Sequence, residues 1–390
     1  MIPLACMTTA APLADAPGVA TSPRLGAIDA LRGLVMVLMT LDHASGAFNA
    51  GRLMTDSAGS YHPGMALDPA QLYTRWVTHL CAPTFVFLAG LSLSLSAERR
   101  RARGQSAAGQ DRFLITRGLF IAACDPLWIS WAFGMPPGRV LLQVLYAIGG
   151  SFVAMAGLRR LPRRWLGALA LLVLFGHEEL TALVHPLAEG PLGPPIALLL
   201  SGGTAGPFIV AYPLLPWLAV MALGYAVGGV VAGESADRLA SLFARAGAVA
   251  LALFVAVRGV DGYGNGRLYR DDGSLIQWIH VCKYPPSLAY AALELGLMAL
   301  LLALLLRAPL DGWRARVLGP LVLLGQTAFF FYLLHVHLLH AMARALGLER
   351  HAGLAATYAA AAVAVLVLFP LCALYRRYKA AHPDGWARYV

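Results

Sequence analysis

Charge is scarce in this 390-residue chain: Asp, Glu, Lys and Arg together make up 13%, against 59% hydrophobic residues and a mean hydropathy of +0.66. That balance excludes an ordinary soluble domain of this length. Strand-length apolar alternation is lacking too, whereas apolar runs near twenty residues recur, which excludes a transmembrane barrel. The first 22 residues contain no Lys or Arg and no sustained apolar core, so they do not match a signal peptide. The five cysteines (Cys6, Cys81, Cys124, Cys282, Cys372) are an odd number without metal-ligand spacing, so they form no complete disulfide framework and imply no metal. What remains is an all-α fold: a polytopic transmembrane helical bundle.

Charges, Gly/Pro clusters and apolar runs divide the chain into ten candidate spans, near residues 27–47, 73–96, 113–133, 139–158, 165–185, 207–231, 246–261, 287–306, 318–346 and 354–374. An even number puts both termini on one side. Of the 30 basic residues, 21 fall on that side and nine on the other, so the positive-inside rule makes the termini cytoplasmic. Topology and anionic lipid account for the net charge of +10, and no nucleic-acid partner is expected. Residues 1–23 are expected to form a mobile, uncleaved cytoplasmic tail, residues 24–376 the membrane domain, and residues 377–390 a second cytoplasmic tail. Ten of the eleven histidines map to the outer side, all but His382. That asymmetry points to an outward-facing polar cavity, although His62, His177, His185 and His351 are equally explained as interfacial decoration.

The first span ends in LMTLDHASGAF, with Asp42 and His43 closing an apolar run. Arg32 and His43 are eleven residues apart, so on a helix they share a face to within about 20° and lie roughly 16 Å apart along the axis. Asp29, Arg32, Met36, Met39 and His43 form one stripe. Asp29 and Arg32 are also explained as an i, i+3 ion pair anchored at the inner headgroups. Asp42 and His43 form a functional-site hypothesis, because ionisable residues deep in a span normally face the bundle interior. A carboxylate fixes an imidazole's tautomer for general-base work. Adjacent helical residues diverge by about 100°, however, which leaves open that Asp42 meets another helix and a different group orients His43.

RLGAIDALRGLVMVLMTLDHASGAF resembles the opening of bacterial relatives of heparan-α-glucosaminide N-acetyltransferase, a family of polytopic membrane acetyltransferases. RWVTHLCAPTFVFLAGLSLSL at 75–95, FLITRGL at 113–119, YPLLPWLAVMALGYAVG at 212–228, KYPPSLAYAALELG at 283–296 and GQTAFFFYLLHVHLLH at 325–340 fit the same pattern. The resemblance implies an integral protein of the bacterial inner membrane that moves an acetyl or short acyl group from cytosolic acetyl-CoA. The acceptor it implies is an extracytoplasmic amine or hydroxyl on a sugar. Arg24, Asp29, Arg32 and Arg117 are then the candidate coenzyme-binding residues, with the pantetheine arm running along the stripe. His43, with Asp42, is the candidate base. In the family pattern an asparagine stands near the position of His43 and the histidine comes in the following loop, so His62 is the rival base.

Other groups are more ambiguous. His79 and Cys81 point about 200° apart on a helix; the family's RWxTHxCAP pattern adds His79 to the catalytic candidates and leaves Cys81 to packing. Of HVHLLH, only His337 and His340 share a face, so no metal is expected, and His335 and His340 are candidates for the acceptor site. Lys283, Tyr284 and Ser287 are expected at the outer rim, for substrate binding or purely for architecture. Arg117 and Asp125 lie too far apart to pair. Asp29 is the candidate partner for Arg117 and an outer histidine for Asp125. A proton-coupled secondary transporter of a small polar solute is the alternative function, and a scaffold protein would leave the buried acids and histidines unexplained. Lipid is a necessary partner, and a homodimer is compatible with such a bundle.

Overall fold

The computed structural model describes residues 23–308, 312–382 and 385–390; the expected N-terminal tail, apart from Pro23, lies outside them. Helices run in the order α1 (Pro23–Phe48), α2 (Pro69–Val77), α3 (Cys81–Ala102), α4 (Ala107–Cys124), a π-turn (Asp125–Ile129) into α5 (Ser130–Ala132), α6 (Val144–Leu158), α7 (Arg163–Val184) and α8 (Gly193–Ile196). They continue with α9 (Leu214–Gly233), α10 (Ala236–Val260), α11 (Leu275–Ile279), α12 (Leu288–Arg307), α13 (Gly312–Gln326), α14 (Ala328–Ala345) and α15 (Leu354–Ala381). A small sheet of β1 (Val140–Leu142), β2 (Gly203–Ala205) and β3 (Phe208–Val210), in the order β1-β3-β2, is the exception to the helical architecture.

Among the described residues, seven helical segments are long and apolar enough to cross a membrane, or eight if α13 and α14, bent by 85°, form one broken span. That is slightly fewer than the ten expected. The other two candidates are α1, whose ionisable side chains lower its hydropathy, and α6, which has only 15 residues. α15 continues to Ala381, and Tyr375 Oη donates to the Ala387 carbonyl at 3.2 Å.

Local sequence explains the helix starts. Asp68 caps α2 by accepting the Gln71 N–H, with Pro69 in the first turn, and Ser106 caps α4 through the Gly109 N–H. Among the described residues Asp125 meets no histidine. Its carboxylate accepts the Gln143 and Tyr146 N–H groups, each at 2.7 Å, at the start of α6. Arg258 is buried and donates to Asn265 Oδ1 and the Leu268 carbonyl, shaping the loop between α10 and α12. That loop joins the one after α1, where Tyr61 Oη donates to Asp271 and accepts from Gln277 Nε2 at 2.8 Å.

The central helix is α1, which packs against α3, α12, α13, α14 and α15. It approaches α13 almost backbone to backbone. A Cβ on Gly33 would lie 1.8 Å from the Leu321 carbonyl oxygen, and one on Gly325 would lie 1.9 Å from that of Asp29. Without a hydrophobic force between helices in lipid, such close small-residue packing is a main source of cohesion. Gly33→Ala should therefore lower the melting temperature in detergent, by overpacking worth about 1–3 kcal/mol. Gly176→Ala is the control: with nothing within 4 Å of its added Cβ, it should leave stability unchanged or slightly raised. Equal melting temperatures for the two variants would contradict this packing account.

Candidate active site

Two polar regions lie at opposite ends of α1. At the basic end Arg32 donates to Asp29 at 2.8 Å and to Ser92 Oγ at 2.8 Å, while Gln326 Nε2 donates to the other Asp29 oxygen at 3.3 Å. Asp29 is thus paired within α1 and is not the partner of Arg117. Arg117 has no partner for its buried Nε among the described residues; its guanidinium lies 5.8 Å from the Phe152 ring centroid.

Asp29, Arg32, Arg99, Arg100, Arg117 and Lys379 line a cavity of about 460 Å³. A second cleft of about 760 Å³, lined by Arg99, Arg100, Arg103, Arg112 and Tyr389, adjoins it through shared residues that include Phe113. The first cavity passes Met36 and Phe85 and reaches Tyr332 on α14. Met39 is packed in the core and is not part of its lining. The expected stripe therefore lines the cavity only as far as Met36, and the path then crosses from α1 to α14. The side chain of Arg24 lies outside the described residues.

At the histidine end, Asp42 and His43 turn to different neighbours. Asp42 accepts from Arg52 at 3.0 Å, from Thr78 Oγ1 at 3.2 Å and from Arg75. Arg75 is 5% exposed and bridges to Asp56, with Nε–Oδ2 at 2.6 Å, and reaches the Tyr284 hydroxyl at 3.4 Å. His79 Nε2 lies 3.5 Å from Asp56. The Lys283 backbone N–H donates to the Asp56 carbonyl at 2.8 Å, tying the loops after α1 and before α12 to this network. Burial opposes ionisation of Asp56, but the Arg75 charge, aided by His79 and Lys283, holds its carboxyl well below the usual range.

His43 is oriented by His335. Their Nδ1 and Nε2 atoms are 2.7 Å apart, and the rings stack with centroids 4.9 Å apart. His335 Nδ1 faces the Tyr332 carbonyl at 2.8 Å and the Phe331 carbonyl at 3.1 Å. Carbonyls only accept, so His335 Nδ1 carries the proton and, with the ring neutral, its Nε2 accepts from His43 Nδ1–H. This assignment follows from the network and leaves the lone pair on His43 Nε2. Phe133 meets His43 edge-on at 5.9 Å and His340 at 5.1 Å.

The remaining candidates separate. His62 is exposed in the loop; its backbone N–H donates to Met65 Sδ at 3.2 Å and its carbonyl accepts the Met65 N–H at 3.1 Å. Lys283 and Ser287 are buried and not at a rim, and Ser287 Oγ accepts the Tyr290 N–H as the cap of α12. His337 faces Trp128 and Trp131, away from His335. Arg52, Asp56, Arg75 and Tyr332 went unrecognised in the sequence. For Arg75 there was a signal, a guanidinium four residues before His79 in the RWVTHLCAP block; Asp56 lay in a loop with no periodicity to place it.

A bundle of apolar helices with a basic-mouthed cavity leading toward a histidine pair defines a polytopic integral membrane protein with an internal site. The chain belongs to the heparan-alpha-glucosaminide N-acetyltransferase family: the family model described as heparan-alpha-glucosaminide N-acetyltransferase, catalytic, matches residues 24–258, more than half its length. It is accordingly a membrane acetyltransferase. Among curated proteins none matches the sequence. The match covers α1 through most of α10, so Lys283, Tyr332 and His335 lie beyond it.

Asp56→Asn should destabilise the protein at pH 7, because it leaves Arg75 with one fewer counter-charge; breaking a buried pair costs about 3–5 kcal/mol. The carboxyl's folded-state pKa is depressed, so its contribution is fully present above the unfolded value near 4 and lost only as pH falls through the lower folded value. The melting-temperature gap between wild type and variant should stay flat from pH 8 to pH 5, and a gap that closes within that window would refute the pairing.

Proposed function

We propose that this protein transfers an acetyl or short acyl group from cytosolic acyl-CoA to an amine or hydroxyl, on a sugar, at the other face of a bacterial inner membrane, with both termini cytoplasmic. The observation that carries this reading is the cavity itself, lined by Asp29, Arg32, Arg99, Arg100, Arg117 and Lys379 and also by Tyr332, whose ring meets that of His43 at 6.0 Å. The donor set suits a coenzyme with anionic phosphates. Arg99, Arg100, Arg103 and Arg112 surround the mouth, and the orphaned Arg117 Nε provides a charged donor further in. The apolar lining, which includes Met36 and Phe85, suits an uncharged pantetheine arm.

In this reading His43 Nε2 accepts the proton of the acceptor as its nitrogen or oxygen attacks the thioester carbon. His335 holds the tautomer that exposes that lone pair, and the imidazolium that forms keeps its Nδ1–H on His335 Nε2. Asp42, Arg52 and Arg75 fix the end of α1 and thereby the position of His43; Asp42 therefore acts by positioning. Tyr284, joined to Arg75, is a candidate to contact the acceptor, as is His340 across Phe133. The transporter alternative draws on the 85° break between α13 and α14, and the family assignment favours transfer over it.

His43→Ala should lower acyl transfer by about a hundredfold or more while leaving CoA affinity intact, since a general base contributes about 10²–10⁴, whereas His62→Ala should have little effect. The assay is radiolabelled acetyl transfer from acetyl-CoA to glucosamine by protein in vesicles. Loss of transfer in His62→Ala alone would move the base into the loop. Topology is tested by placing cysteine at His62 or Arg103, both exposed, in a background free of native cysteines. An impermeant thiol reagent should label only the first in intact cells, and labelling at position 103 would reverse the direction of transfer.

A further inference from the structure

The Tyr332 hydroxyl is buried and has no hydrogen-bond partner among the described residues, although the residue is only 5% exposed. Buried phenols normally find one, because an unsatisfied polar group costs about 1–3 kcal/mol. The rest of Tyr332 is fully used. Its carbonyl accepts His335 Nδ1–H, its ring packs edge-on against His335 at 5.3 Å and His43 at 6.0 Å, and it lines the basic-mouthed cavity. An idle donor is therefore carried by a residue that lines the cavity and touches both histidine rings.

We propose that Tyr332 is a further catalytic residue, whose hydroxyl donates a hydrogen bond to the carbonyl oxygen of the thioester at the end of the cavity. The inference rests on the reading of the cavity as an acyl-CoA site. When the acceptor nitrogen attacks, its lone pair forms the C–N bond and the carbonyl π electrons move onto oxygen. The Tyr332 O–H, already in place, strengthens its bond to that oxygen as charge builds. Collapse restores the C=O and breaks the C–S bond, whose electron pair leaves on sulfur. The proton that His43 took from nitrogen passes to the thiolate. Tyr332 keeps its own proton throughout, so the donor has to be a hydroxyl and the ring alone is insufficient.

Binding of acetyl-CoA and of S-ethyl-CoA, the thioether lacking the carbonyl oxygen, to full-length protein in detergent tests this without an acceptor. Wild type should prefer acetyl-CoA by about two- to tenfold, the worth of one net hydrogen bond. Tyr332→Phe should abolish that preference while binding S-ethyl-CoA as wild type does, and it should melt no lower, since it removes an unpaired polar group. The thioester C=O stretch of bound acetyl-CoA should lie lower in wild type than in the variant. An unchanged preference and an unchanged stretch would overturn the role of Tyr332 alone. Failure of wild type to bind either ligand would overturn the acyl-CoA reading and this inference with it.

Discussion

A helix carrying Asp29, Arg32, Asp42 and His43 can occupy the centre of an apolar bundle only if its neighbours satisfy those groups, and the rest of the architecture follows from that demand on α1. The Gly33 and Gly325 contacts bring α13 against α1, which puts Gln326 beside Asp29 and the Gly325 carbonyl 3.5 Å from Arg32. The chain then breaks at Thr327 and turns by 85° into α14. That turn gives α14 a course along which His335 meets His43, about three turns of α1 beyond Arg32. Close packing at one end of α1 thus sets the direction of the helix that orients an imidazole at the other.

Paired and unpaired groups divide the polar interior. Asp42, Asp56, Arg52 and Arg75 satisfy one another through short bonds, with Thr78 and Tyr284 completing the set. A buried network of that kind is rigid and costly to disturb, which suits it to positioning. Against it stand the Arg117 Nε and the Tyr332 hydroxyl, both buried without partners among the described residues, and the lone pair left on His43 Nε2. Arg117 and Tyr332 line the same cavity, and the Tyr332 ring meets that of His43 at 6.0 Å. Groups that a folded chain leaves unsatisfied at a cost of kilocalories are natural contacts for a ligand.

Helical periodicity made the membrane-bundle class and the polarity of α1 legible in the sequence, because eleven residues return a side chain nearly to the same face. The same arithmetic separates His335 from His337, which the structure turns toward His43 and toward Trp128 respectively. It does not find partners across helices. His335 and His43 are 292 residues apart, and the departure of the cavity from α1 after Met36 depends on how α14 leaves the break at Thr327. Loops were less legible still: Asp56 is placed by the Lys283 backbone and Arg75, neither of which any local pattern connects to it. Apolar length also overstates the number of clear spans where a helix is short, as in α6, and expectation exceeds hydropathy where a helix is polar for a reason, as in α1.

The choice between His43 and His62 as the base turns on what each would have to give up. His62 follows Tyr61, which is buried and bonded to both Asp271 and Gln277, and Asp271 also accepts the Gly64 N–H at 2.7 Å. The loop is therefore pinned on both sides of His62, and swinging that side chain toward α1 would break bonds that join it to the loop before α12. His43 needs no such movement. It sits on the last turns of a long helix whose end is held through Asp42 by two arginines and a threonine, with its proton already directed to His335. A base that is positioned before the acceptor arrives avoids the ordering cost that a mobile loop would add to every turnover.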